Sequence, residues 1–185
     1  LYCQVSNCRV HDLAVHLIAC GNQDEADIAT FRLPAGATER IGKKPILALD
    51  LEWPVPPNVG ESVMFGGFPA QERIVRGTDE VDFGFHSAMT PVTSITEHQI
   101  SCRFNRDTML DNLGTGLPHV GYGLAGISGG PLLVPDFRDG AWAWRLGGVI
   151  SQAQPERPAD EVLFESVVAH RAEYILPDGT LARSL

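Results

Sequence analysis

The chain has 185 residues, of which 44% are hydrophobic, 20% charged and 8% aromatic, enough to bury one sizeable core or two small adjoining ones. Fourteen Lys and Arg stand against 23 Asp and Glu, a net charge of -9 with no basic cluster, so a phosphate backbone would be repelled and no nucleic-acid partner is expected. No apolar run approaches the ~20 residues of a membrane-spanning helix, because the longest candidates are broken by His16 or by Asp50, Glu52 and Pro54, so no membrane-spanning role is expected.

Short runs rich in Val, Ile, Phe and Trp, punctuated by 19 Gly and 13 Pro, predict an all-β protein. In chain order the strands are expected at 13–19, 28–33, 46–51, 62–68, 81–86, 92–104, 131–134, 141–151 and 162–167. Turns are supplied by Gly21-Asn22, Pro34-Ala35-Gly36, Pro56-Pro57-Asn58 and Asp139-Gly140. Prolines at 34, 45, 54, 56 and 57 mark a crossover between two β units. Val167, Val168, Ala172 and Ile175 fall at helix-like offsets, which suggests one helix over 165–174, near the end of the chain. Cys3, Cys8, Cys20 and Cys102 do not combine with the six His at zinc spacings, so no metal site is expected, and the cysteines read as buried free thiols ahead of two disulfides.

The segment richest in chemistry is Gly126-Ile127-Ser128-Gly129-Gly130-Pro131. A nucleophilic serine needs a carbonyl within about 3 Å of its Oγ and backbone N–H groups aimed at the developing oxyanion; flanking glycines permit both the tight turn and the close approach. A Gly-rich β-turn with an incidental serine is the bland alternative, and a phosphate-cradling loop would want a Lys and a following helix, where Pro131-Leu132-Leu133-Val134-Pro135 reads as a strand. Gly-X-Ser-X-Gly also fits the nucleophile elbow of α/β hydrolases, with Asp160 and His170 as the remaining pair, but an elbow is followed by a helix.

Four segments together resemble the trypsin-like (chymotrypsin-fold) serine peptidases, particularly their bacterial members. Asp27-Ile28-Ala29-Thr30-Phe31-Arg32-Leu33 is similar to the strand opening with the catalytic aspartate, and 60–69 to the first strand of the second barrel with its Gly-aromatic turn. Gly126 to Pro131 is similar to the nucleophile loop, and Leu146-Gly147-Gly148-Val149-Ile150-Ser151 to the strand lining the substrate cleft. The resemblance implies two antiparallel β-barrels and a serine-type endopeptidase acting through an acyl-enzyme, with peptide or protein as substrate and no cofactor. It implies that Ser128 is the nucleophile, that the N–H groups of Gly126 and Ser128 form the oxyanion hole, and that Asp27 orients the histidine base. Ser151 would sit beside Asp27, while Ser151, Gln152 and Ala153 pair with an extended peptide and Tyr122 floors the primary specificity pocket, without the negative charge that Arg or Lys would require.

Two departures from the family pattern shape the expectation. Ile127 occupies the place where digestive members carry an Asp that binds a new N-terminal ammonium, which excludes activation by that ion pair. The histidine base should also precede the aspartate by some tens of residues, yet upstream of Asp27 stand only His11 and His16, both read as strand or turn residues. If His16 were the base, Asp50 would be its acid, and Asp12-Leu13-Ala14-Val15 mimics the aspartate motif without its spacing. The expected layout is therefore a remnant of the first barrel at 1–34, a crossover at 35–59, the second barrel at 60–165 and a helix and tail at 166–185, with the histidine upstream of Leu1. The alternative is a catalytically inactive, protease-like module that binds peptides.

Overall fold

The computed structural model describes residues 2–5, 9–12, 17–21, 27–36, 54–76, 81–105, 122–156 and 164–182, and most of them are strand. The chain divides into two compact units, one of Pro54–Ala172 and one of Leu1–Trp53 with Glu173–Leu185.

The first unit contains β1 (Tyr2–Val5), β2 (Arg9–Asp12), β3 (Leu17–Cys20) and β4 (Ala29–Phe31). They form two separate antiparallel pairs among the described residues, β1 with β2 and β3 with β4. The Gly21 N–H donates to the Ile28 carbonyl at 2.8 Å, closing the β3–β4 pair just before β4 starts. Ile28 is buried with Tyr174, and Ile175, Leu181 and Ala182 pack around them, so the C-terminal segment supplies half of this unit's small core. His11 lies on β2, whereas His16, Asp50, the expected strand at 46–51 and Asp160 lie outside the described residues.

Eight strands follow in the second unit: β5 (Ser62–Gly67), β6 (Arg73–Val75), β7 (Val81–Phe83), β8 (His86–Ile95), β9 (Gln99–Phe104), β10 (Pro131–Arg138), β11 (Ala141–Glu156) and β12 (Phe164–Arg171). Six of them close an antiparallel barrel in the order β10-β11-β12-β9-β8-β5, and β6 and β7 form a side hairpin. Closure removes the open edges that an isolated sheet of this size would expose. The period of two is plain in the core: Val63 and Phe65 from β5, Ala88 and Val92 from β8, Ile100, Cys102 and Phe104 from β9, Leu132 and Val134 from β10, and Val167 and Ala169 from β12 all point inward. Each such fully buried aliphatic or aromatic side chain contributes roughly 1.5–3 kcal/mol. The Cys102 thiol shares this environment, and burial pushes its pKa up to about 12; it and the exposed Cys20 are free thiols.

Asp139 and Gly140 both take positive φ, 52° and 78°, giving the two-residue turn that joins β10 to β11, as an Asp-Gly pair predicts. Two expectations are corrected. The stretch 92–104 is not one strand but the end of β8, a turn at Thr96-Glu97-His98, and β9; the Thr96 N–H donates to the Gln99 carbonyl at 2.8 Å, and the Thr96 hydroxyl accepts from the Gln99 N–H at 3.0 Å. The helix expected over 165–174 is instead β12 followed by a single 3-10 turn at Ala172–Tyr174. β12 is laddered by β11 on one side and by β9 on the other, and this pairing, with two β-branched valines at its centre, overrides the helix-like offsets.

Candidate functional site

The serine loop is held by one buried side chain and several short backbone bridges. Ile127, 1% exposed, sits in the barrel core and anchors the loop immediately before Ser128. The Ile127 N–H donates to the Leu124 carbonyl at 3.2 Å, Gly129 N–H to the Ile150 carbonyl at 2.7 Å, and Gly130 N–H to the Ile127 carbonyl at 2.9 Å. Ile150 N–H returns a bond to the Gly130 carbonyl at 2.8 Å, and Ala70 N–H donates to Ala125 at 2.8 Å. Two glycines are required by geometry: Gly126 has φ +99°, and a Cβ on Gly130 would stand 2.1 Å from the Gly66 carbonyl oxygen. The Gly66-Gly67 end of β5 is thus the surface against which the loop is moulded.

Ser128 itself is exposed, and its hydroxyl donates to the Ser151 carbonyl at 3.1 Å. Among the described residues no carbonyl takes the N–H of Gly126 or of Ser128, whereas the N–H groups of Ile127, Gly129 and Gly130 are all committed. After Gly130 the chain enters β10 rather than a helix, which removes the structural context a hydrolase elbow requires. His170, the base of that alternative, is buried on β12.

Ser151 lies at a bulge, where the β11–β12 register shifts between Ile150 and Gln152. Its own hydroxyl donates to the Val168 carbonyl at 3.2 Å. β10 pairs with β11 only as far as Val149, so Gln152 and Ala153 are laddered by β12 through Val168 and Val167 on one side and have no β10 residue opposite them on the other. Gln152 is exposed and Ala153 packs against the core.

Tyr122, at the start of the loop, is half-buried against the core and faces His86, with ring centroids 5.0 Å apart and planes tilted by 43°. His86 also meets the edge of Phe104 at 5.9 Å. Burial lowers the His86 pKa below 6.5, and the nearby Glu72 carboxylate opposes this only in part. Asp27 is exposed and stands two residues ahead of β4 in the other unit. Among the described residues no group of three or more His, Cys, Asp or Glu stands together as metal ligands do.

The structure therefore brings together Ser128, Gly126, Ser151, Gln152, Ala153 and Tyr122 around one end of the barrel. It also adds His86, which sequence alone marks only as the last residue of an expected strand; its register partner, Gly67, is what carries it to the loop. In comparisons with protein-family models, with curated proteins and with solved structures, none matches this chain.

Proposed function

We propose that this chain is a serine-type endopeptidase domain of the trypsin-like kind, acting on peptides or proteins. The observation that carries the reading is the state of the serine loop: an exposed hydroxyl at Ser128, with the N–H groups of Gly126 and Ser128 taken by no carbonyl among the described residues while those around them are bonded. Ser128 Oγ attacks the peptide carbonyl as a histidine base takes its proton, and the oxyanion is held by the Gly126 and Ser128 N–H groups. The histidinium then protonates the departing amine, leaving an ester on Ser128 that water hydrolyses. In this reading Asp27 orients the histidine. In this reading an extended substrate pairs with β11 at Ser151, Gln152 and Ala153, past the end of its ladder with β10.

The test is digestion of an unbiased peptide library by the full-length protein, with products read by mass spectrometry. New termini that appear with the parent protein and vanish with Ser128→Ala support the endopeptidase. Peptide retention without cleavage would favour the catalytically inactive peptide-binding module instead.

A further inference from the structure

We propose that His86 is a specificity-determining residue of the cleft, and that its Nε2 hydrogen-bonds the uncharged polar end of a substrate side chain, such as a glutamine amide, on the residue whose carbonyl Ser128 attacks. This rests on the serine-peptidase reading of Ser128.

Three observations converge on His86. In the β5–β8 ladder it stands opposite Gly67, and a Cβ on Gly67 would lie 3.0 Å from Ile127 Cβ, so His86 is one strand removed from the serine loop. Its ring faces Tyr122, six residues before Ser128, with the two planes tilted by 43° rather than stacked. Its Nε2 is buried, yet among the described residues no group bonds it. Leaving a buried polar nitrogen unsatisfied costs stability, and such groups in a native fold call for a partner.

The surroundings select the chemistry of that partner. Phe104 and Tyr122 offer ring surface to an apolar stem, and the imidazole that meets both rings is kept neutral at neutral pH by burial. A neutral imidazole can donate to an amide oxygen or accept from an amide nitrogen, according to tautomer. A carboxylate guest would meet the field of Glu72, which already acts on His86. A cationic guest would gain from Glu72, but desolvation outweighs that same attraction for the positive charge His86 itself would carry, and it acts on a guest charge in the same way.

The experiment is a titration of the full chain with acetylated tetrapeptide acids ending in Gln, Met, Glu or Lys, followed by NMR at the Ser128 amide and the His86 ring. These are product-like ligands and need no catalytic base. The Gln peptide should bind about tenfold more tightly than its Met isostere, and more tightly than the Glu and Lys peptides, with both resonances shifting. His86→Phe should leave Met binding in place and bring the Gln-to-Met ratio to about one; His86→Gln, a second variant that keeps a polar end, should retain part of the preference. Equal binding of Gln and Met, tighter binding of Glu or Lys, or a preference that survives His86→Phe would overturn the assignment of His86 alone. Peptides that fail to bind, or that bind without moving the Ser128 amide, would overturn the peptidase reading and this inference with it.

Discussion

The Ser128 hydroxyl donates to the Ser151 carbonyl across 3.1 Å, and the Ser151 hydroxyl donates onward to the Val168 carbonyl at 3.2 Å. The candidate nucleophile is thereby tied to the bulge of β11, and through it to β12. Ser151→Ala removes the second link while leaving the first, which uses only backbone, so it should cost about 1 kcal/mol. Urea denaturation should show the midpoint falling with an unchanged slope.

Gly130→Ala should be far more damaging than an ordinary surface substitution. A methyl group there would stand 2.1 Å from the Gly66 carbonyl oxygen and 2.9 Å from that of Ile127, both backbone atoms with little room to yield. Overpacking of this kind costs about 1–3 kcal/mol, and here it also pries the loop from β5. Denaturant melts should report the loss of stability, and any activity at Ser128 should fall with it.

Ile127→Asp is expected to unfold the loop rather than to build an activation switch. Ile127 is 1% exposed among apolar neighbours, so an unpaired carboxylate there should cost about 3–5 kcal/mol, against about 0.5–1.5 kcal/mol for Ile127→Val. Comparing the two variants by chemical denaturation checks the contrast.

Stability should rise with pH across the range just below 6.5. Burial lowers the His86 pKa in the folded state, with Glu72 opposing, so between the folded pKa and 6.5 the unfolded chain binds the extra proton and folding weakens as pH falls. His86→Phe should flatten that part of the stability profile, measured by urea melts from pH 5 to 8.

The barrel was legible where side chains alternate and where turns use Gly, Asp or Pro: β5, and the Asp139-Gly140 turn, follow directly from composition. The Thr96-Glu97-His98 turn was not, because a threonine hydroxyl replaces the usual turn residues. The start of β12 falls within the strand expected at 162–167, but its later part carries helix-like offsets, because the spacing of Val167, Val168 and Ala172 cannot reveal the two neighbouring strands that claim its backbone. The serine loop stood out by its glycines, but the reason Gly130 is glycine lies 64 residues earlier, at the Gly66 carbonyl, and His86 joins the loop only through the β5–β8 register.

Active-site labelling with a fluorophosphonate tests the central claim most directly. The reagent bonds covalently to a serine only where a base and an oxyanion hole act together, and losing one member of such a set leaves roughly 10³–10⁴ of rate over water. The full-length protein should be labelled at Ser128 and lose the label on Ser128→Ala. Absence of label from the full-length protein, or label that persists in Ser128→Ala, would contradict a catalytic serine at this position.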